Sequence, residues 1–425
     1  MQDRWLRKGP ALDEVVSERV DRRKGRKETA IVITTYGNQA LLREHLRALE
    51  KQSSGDFDVI IVYGERDVVA ESTLPILHIK ERGRNGSSGA YYIGEKTALD
   101  EGYGIVMLAD DDCMPESPNL VKSLAESARS GNKIVMPMLH KRDRGMKKTS
   151  IPHYYGTFSR EVLEDAGLTY FPLFFGGEDV ELMYRMVRAG YSAMHIEAAV
   201  IHPDIVPFFL DASLKRYYYT RGEFEALIVR GSIAEPFAFF AFHSIASAAL
   251  FTIGRGDIAH RTICGLLDGA LLRFYANDSL AAGGRVAEEA EGGWDVVFEP
   301  EGWKYVTPNM VLHKGGLAWM QLAYLAVQLL GTVALMPRYF RKKVLFRGMS
   351  SPLSLTLMLA ARSAFVEFEG KPRKVFEGRG VISILLGILI MAIALPASVV
   401  LALPLVSLGH INRLLKGASS KSYGL

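Results

Sequence analysis

The sequence predicts an α/β fold, an open and mostly parallel sheet, followed by an α-helical transmembrane region. Three observations carry this expectation. Apolar, β-branched runs alternate with helical periodicities through the first half of the chain. One of those runs, Ile105 to Cys113, ends abruptly in three adjacent aspartates. Every long apolar run lies beyond Gly231.

Residues 1–28 are crowded with Arg, Lys, Asp and Glu and hold no apolar h-region. They read as a charged extension without a signal peptide, which places the N-terminal half in the cytosol. Thr29 to Tyr36 is a strand by its β-branched content, and Gly37-Asn38 turns the chain. Leu41, Leu42, His45, Leu46 and Leu49 then recur at helical spacing. Phe57 to Tyr63 is a second strand and Leu74 to Ile79 a short third. Arg84 to Gly94 reads as a Gly- and Ser-rich loop leading into a helix through Thr97 to Glu101. Beyond the acidic strand, Ser117 to Ala128 reads as a helix and Lys133 to Met138 as a strand. Lys141 to Lys148 reads as a basic surface loop, solvated or facing a phosphate or anionic lipid. Val180, Met183, Tyr184 and Val187 mark a helix that Gly190 stops, and His195 to His202 is one more strand. The first folded domain is therefore expected over residues 29–230.

The stretch Ile-Val-Met-Leu-Ala-Asp-Asp-Asp-Cys at 105–113 has the form of a buried strand ending in negative charge. Ligands of parallel sheets bind beyond the carboxyl ends of the strands. Adjacent carboxylates repel one another, and a cation balances them; oxygen ligands suit Mg²⁺ or Mn²⁺, often shared with substrate phosphates. The ordinary alternative is a solvated acidic loop before the next helix. Asn85-Gly86-Ser87-Ser88-Gly89 offers backbone N–H groups to a phosphate or sugar, although a plain turn has the same composition. Phe174-Phe175-Gly176-Gly177-Glu178-Asp179 is a tight turn that delivers two carboxylates to a helix start. There they either cap the helix or supply a general base. His202, at a strand end, has the position to complete a carboxylate metal site, whereas His78, His140, His153 and His195 have structural contexts. Arg216, Tyr217, Tyr218, Tyr219 and Arg221 suit a membrane interface, a sugar-phosphate contact or a docked surface helix.

Composition narrows the classes. A formal charge of +4 over 425 residues leaves no large nucleic-acid footprint, so no nucleic-acid partner is expected. Cys113 and Cys264 alone make no disulfide framework and fit a reducing compartment. Leu317 to Pro337 carries no charge over the length a spanning helix needs, and Val381 to Gly409 is longer still, broken by Pro396 and Pro404. The latter is one tilted span or a kinked, re-entrant pair. Ile233 to Ile253 is marginal, and Ser351 to Val366 reads as an interfacial helix. Residues 231–316 are thus a connector with an interfacial or membrane segment, and 317–425 the transmembrane region, with two to four spans in all. The basic residues between Arg338 and Lys374 mark that loop as cytosolic.

From Ala30 to Arg230 the chain resembles the GT-A-fold glycosyltransferases of family 2. The matches are Val32-Ile33-Thr34-Thr35-Tyr36 at the first strand, Leu108-Ala109-Asp110-Asp111-Asp112 as the DxD-type element and Gly177-Glu178-Asp179 as the ED element. Arg84 to Ala90 and Arg216-Tyr217-Tyr218 with Arg221 look most like the galactofuranosyl- and rhamnosyl-transferase branch. Gly265-Leu266-Leu267-Asp268-Gly269 is similar to an element that follows the membrane segment in rhamnosyltransferases. The chain departs from the pattern at Tyr63-Gly64-Glu65-Arg66-Asp67, where the family has Asp-x-x-Ser, and at Gly37 and Gly222, where Asn is common.

The resemblance implies a membrane-bound, inverting transferase that moves a sugar from a nucleotide-diphosphate donor to a lipid-linked (polyprenyl-type) or glycan acceptor. It implies Mg²⁺ or Mn²⁺ as cofactor, held by Asp110, Asp112 and His202. Asp179 is implied as general base with Glu178 beside it, and Thr34, Thr35, Tyr36, Asn85, Gly86, Asp110 and Asp111 as donor contacts. Arg216, Tyr217, Tyr218 and Arg221 would meet the acceptor or the membrane interface. The protein would be multi-pass in the cell membrane among its lipids, catalytic domain toward the cytosol, and able to form a homo-oligomer. The competing classes are a nucleotidyltransferase releasing pyrophosphate, a processive polysaccharide synthase and a non-catalytic membrane scaffold. The synthase should show Gln-x-x-Arg-Trp after the ED element; Gln2-Asp3-Arg4-Trp5 lies at the wrong end and is wrongly spaced. The scaffold does not account for three acidic elements together.

Overall fold

The computed structural model describes residues 8–36, 38–64, 72–131, 133–141, 145–202, 214–231, 233–252, 255–274, 296–298, 342–347, 363–368, 371–377 and 381–416. The chain divides into two compact units, broadly Met1–Pro203 and Asp204–Leu414, with Phe274–Ala276 and Leu415–Leu425 grouped with the first.

The first unit is a ten-stranded sheet flanked by helices. Its elements in order are α1 (Leu12–Val15), β1 (Val16–Asp21), β2 (Thr29–Thr35), α2 (Gln39–Glu50), β3 (Asp58–Tyr63), β4 (Ile76–Glu81) and α3 (Gly86–Asp100). Then come β5 (Ile105–Asp110), β6 (Met114–Pro115), α4 (Leu120–Arg129), β7 (Ile134–Lys141), β8 (Gly145–Lys148) and β9 (Tyr154–Ser159). The unit closes with α5 (Arg160–Ala166), α6 (Glu178–Arg188) and β10 (Ala193–Ile201). Strand order is β1-β4-β3-β2-β5-β9-β7-β10-β6, with β8 pairing β7. The β-branched runs of β2 and β3 are buried along their whole length, as strands covered on both faces require.

The sheet is mixed rather than mostly parallel. β4, β3, β2 and β5 pair in parallel, as do β7 and β10, but β9 runs antiparallel to both β5 and β7. Short connections from β8 and onward to β9 permit an antiparallel return, whereas a parallel neighbour needs a long crossover. Because two reversals intervene, the carboxyl ends of β2, β5, β7 and β10 all lie along one edge. β1 adds an antiparallel edge strand on β4, so part of the charged N-terminal segment is built into the sheet. The Lys141–Lys148 stretch, expected as a surface loop, contributes instead the end of β7 and all of β8, paired as a hairpin.

The Gly- and Ser-rich stretch, expected as a loop, is the first two turns of α3. Small residues here serve close packing: a Cβ on Gly94 would lie 2.2 Å from Val32 Cγ1 of β2. Burial against the sheet overrides glycine's poor helix propensity. From the same helix, buried Glu95 accepts hydrogen bonds from the Thr169 N–H (2.7 Å) and hydroxyl (2.9 Å). Arg185 on α6 pairs with Glu181 (2.8 Å) and donates to the carbonyls of Ala166 and Leu168. The segment before the Phe174–Asp179 turn is thus anchored by two buried charges.

The second unit contains α7 (Leu214–Val229), α8 (Ala234–Thr252) and α9 (Gly256–Ala270). It also has a small sheet in the order β11 (Val296–Phe298), β12 (Lys343–Arg347), β13 (Ser363–Phe368) and β14 (Lys371–Glu377), then a helix over Val381–Lys416. Ser363–Val366, expected at the end of an interfacial helix, lies within strand β13, which has the aromatic and β-branched content of a strand and pairs antiparallel with β14. Residues 351–362 and the expected span Leu317–Pro337 lie outside the described residues, as do Gly37 and Glu65-Arg66-Asp67. Val381–Gly409 lies within one continuous helix that runs through Pro396 and Pro404, so it is neither broken nor re-entrant; its side chains are described at Ala397 and from Val400 on. Among the described residues, no helix is long and apolar enough to cross a membrane.

The buried Glu95 makes a test of this core. Burial pushes its carboxyl from the ordinary 4.5 up to about 7, against the hydrogen bonds from Thr169. A carboxyl raised in the folded state binds its proton more tightly there, so its contribution is complete below pH 4.5. It is lost as pH rises through about 7. Glu95→Gln should therefore flatten the fall in unfolding free energy between pH 5 and 8, by about 1–3 kcal/mol. Denaturant titrations of both proteins at several pH values measure the difference.

Candidate active site

Three elements converge at the carboxyl edge of the sheet. Asp110 closes β5 opposite Thr34 of β2. Its backbone N–H donates to the His153 carbonyl (2.9 Å), and its carbonyl accepts from the Cys113 N–H (3.1 Å), which turns the chain back. β6 then pairs antiparallel with β10, Met114 opposite Ile201. This short ladder brings Asp112, two residues before Met114, beside His202, the residue after Ile201.

The three aspartates face three different partners. Asp110 Oδ1 accepts from the Tyr91 hydroxyl of α3 (2.6 Å). Asp111 Oδ2 accepts from Thr35 Oγ1 (2.5 Å). Asp112 Oδ1 lies 3.2 Å from His202 Nε2, whose ring leans on that of Tyr154. Ligand atoms of Asp110, Asp112 and His202 lie within 4.8 Å of one another, all half-buried. Burial pushes the Asp110 carboxyl up to about 7; the Tyr91 hydrogen bond opposes this and the Asp112 charge adds to it. A divalent cation would relieve that penalty, and two carboxylates with one imidazole nitrogen form a donor set that Mn²⁺ or Mg²⁺ accepts. Cys113 is buried and its thiol is pushed up, so it is inert.

The ED turn meets the start of α3. Phe174, Gly176 and Gly177 all take left-handed φ values (66°, 86°, 81°), which is why the paired glycines are needed. The Phe174 carbonyl accepts from the Ser88 N–H (3.1 Å), and Ser87 Oγ donates to Glu178 Oε1. Glu178 Oε2 is buried with no hydrogen-bond partner among the described residues. Burial, then the neighbouring Asp179 charge, push the Glu178 carboxyl upward; Ser87 opposes them. A carboxyl that keeps its proton near neutrality is a poor base. Asp179 is half-buried on the first turn of α6, with Oδ1 accepting from the Val180 N–H (2.7 Å).

Of the other expected donor contacts, Thr34 and Thr35 are buried at the end of β2, and Tyr36 just beyond is exposed. Asn85 precedes α3, its Nδ2 donating to the Arg82 carbonyl (3.3 Å), and Gly86 opens the helix. Arg216, Tyr217, Tyr218 and Arg221 lie on α7, in the second unit. Instead of forming a surface, Tyr217 and Arg221 are interior: the Tyr217 hydroxyl donates to Asp268 of α9 (2.7 Å), and the Arg221 guanidinium stacks over the Tyr217 and Tyr218 rings, 3.6 Å from Glu225. Gly265 of α9 admits this contact, since a Cβ there would lie 2.8 Å from the Tyr217 carbonyl oxygen. Sequence reasoning named Ser87 only for its backbone N–H, gave His153 a structural context, and missed Tyr91. Tyr91 sits in an ordinary helical pattern, and nothing local marks its hydroxyl as aimed at Asp110.

The first unit is an α/β domain with a mixed sheet and carboxylates at its strand ends. Residues 30–176, about a third of the chain, match the family model described as Glycosyl transferase family 2. A Haemophilus influenzae protein described as an uncharacterized glycosyltransferase is 32% identical over 113 residues. The match covers 25% of this chain and 38% of that protein, so the chain spans well under half the length of the curated relative it matches. Among solved structures, the mannosyltransferase PcManGT from Pyrobaculum calidifontis in complex with GDP-Man and Mn²⁺ is 17% identical, covering 63% of this chain and 76% of its own at a TM-score of 0.36. S. aureus TarS is 14% identical, covering 58% and 52% at 0.35.

The close approach of α3 to the ED turn is open to a simple test. Gly86 has φ +72°, and a Cβ there would meet the Phe174 carbonyl oxygen at 1.9 Å. Gly86→Ala should destabilise the protein by about 2–4 kcal/mol, through backbone strain and displacement of the turn. Urea denaturation measures it; a loss under 0.5 kcal/mol, the scale of an ordinary surface substitution, would contradict the contact.

Proposed function

We propose that the protein is an inverting glycosyltransferase that moves a sugar from a nucleotide-diphosphate donor to a lipid-linked or glycan acceptor. The observation that carries this reading is the meeting of Asp110, Asp112 and His202 at the carboxyl edge of a family 2 domain. These three residues would hold Mg²⁺ or Mn²⁺, which when bound supplies charge neutralisation for the departing diphosphate. Thr34, Thr35, Tyr36, Asn85, Gly86, Asp110 and Asp111 line the strand ends and the helix start where the donor is expected. Asp179 accepts the proton of the acceptor hydroxyl, and attack on the sugar face opposite the leaving group inverts the anomeric centre. Glu178, tied to Ser87, holds the turn that presents Asp179.

The acceptor side of the proposal rests on the hydrophobic half. The uncharged run Val381–Gly409 and the exposed Val400, Leu401, Leu403, Leu414 and Leu415 support association with the cell membrane and its lipids. A multi-pass protein with its catalytic domain toward the cytosol would meet a soluble nucleotide sugar there and a polyprenyl-type acceptor in the bilayer. The galactofuranosyl or rhamnosyl branch is proposed from Arg84 to Ala90 and the Arg216 to Arg221 cluster.

Thermal-shift titration of the full chain with UDP-, GDP- and dTDP-sugars should show donor binding that requires Mn²⁺ or Mg²⁺, followed by release of nucleoside diphosphate with a lipid-extract acceptor. Release of pyrophosphate would make it a nucleotidyltransferase instead. Asp112→Ala should remove the metal dependence of donor binding. Asp179→Asn should bind donor nearly normally and lose turnover about 10²–10⁴-fold, with Glu178→Gln costing less. An active Asp179→Asn enzyme beside a well-folded but inactive Glu178→Gln would reverse the two roles.

A further inference from the structure

We propose that Tyr91 is a positioning residue that fixes the orientation of the Asp110 carboxylate, leaving one of its oxygens for the cation or donor. The proposal rests on the glycosyltransferase reading of this site and deepens it. Tyr91 projects from the buried face of α3 and is fully buried. Its hydroxyl donates to Asp110 Oδ1 at 2.6 Å. The phenol ring is clamped as well: it stacks on the His153 imidazole at 3.7 Å between centroids and 12° between planes. His153 in turn accepts the Asp110 backbone N–H at its carbonyl (2.9 Å). One residue pair therefore grips Asp110 at both ends, backbone through His153 and side chain through Tyr91.

The consequence is chemical. A free aspartate at a strand end chooses among rotamers and between one- and two-oxygen coordination. With Oδ1 held by Tyr91, Oδ2 is the oxygen left for the cation or the donor. The grip is preorganisation: the rotamer entropy of Asp110 is spent on folding and not on cation binding. Asp111 is turned to Thr35 by a similar bond, which keeps it out of the cation set.

Tyr91→Phe tests this, because it removes the hydroxyl and keeps the ring stacked on His153. Donor binding is read by thermal shift with a UDP-, GDP- or dTDP-sugar while Mn²⁺ is titrated. The concentration of Mn²⁺ giving half-maximal donor binding should rise about tenfold, the scale of one hydrogen bond to a charged group. Tyr92→Phe is the structural control: its hydroxyl is also bonded, to the Pro10 carbonyl (2.9 Å), so it should lose stability without moving the Mn²⁺ midpoint. If Tyr91→Phe does not fold, 3-fluorotyrosine at position 91 keeps the hydroxyl and alters its donor strength, and the midpoint should shift. An unchanged midpoint in a folded Tyr91 variant, or an equal shift in Tyr92→Phe, overturns the proposal alone. A wild-type protein with no Mn²⁺-dependent donor binding overturns the glycosyltransferase reading beneath it.

Discussion

Three carboxylates in a row repel one another, and much of the first unit is arranged around that repulsion. Two unit charges about 4 Å apart cost about 1 kcal/mol in water and about 4 kcal/mol near a protein surface. The cluster persists because each member is drawn toward a different element: Asp110 to Tyr91 on α3, Asp111 to Thr35 on β2, Asp112 to His202 after β10. None of these partners is local in sequence. The acidic strand end is therefore stable only when the sheet and α3 are assembled around it. Even then, the raised Asp110 carboxyl marks a site where positive charge is still favoured.

A second consequence follows from the smallness of residues 86–94. Glycine and serine let α3 lie close to β2 and to the Phe174 carbonyl. That closeness places Ser87 against Glu178 and Tyr91 against Asp110. One helix thus touches both acidic elements, and Asp110 and Glu178 share a common scaffold. Glu95 and Arg185 hold the intervening segment from below, each a buried charge compensated by several hydrogen bonds.

The helical unit uses polar residues differently. Tyr217, Arg221, Glu225 and Asp268 sit where an apolar core is usual: Tyr217 donates to Asp268 across α7 and α9, and Arg221 forms a 3.6 Å ion pair with Glu225 one turn along α7. Buried charge of this kind carries a desolvation penalty that only partnering offsets, and removing one member leaves the others exposed to it. The Gly265–Gly269 run lets the two helices approach closely enough for Tyr217 to reach Asp268.

The sequence alone determined the strands and most helices of the first unit, because β-branched runs and helical periodicity are local signals. It also marked Asp110, Asp112, Glu178, Asp179 and His202, because strand ends and helix starts are where charge is tolerated. It misread residues 86–94 as a loop, since glycine content reports backbone freedom and says nothing of the β2 surface waiting to be packed. It expected a mostly parallel sheet, since period-2 patterning carries no strand direction. Arg221 and Tyr217 looked like surface residues, because polarity by itself does not reveal a partner such as Asp268, fifty-one residues from Tyr217. Only the tertiary structure decided which oxygen of each aspartate meets which partner. Those contacts span from 19 residues, Tyr91 to Asp110, to 90, Asp112 to His202, and at such separations chain folding, not local pattern, sets the distance.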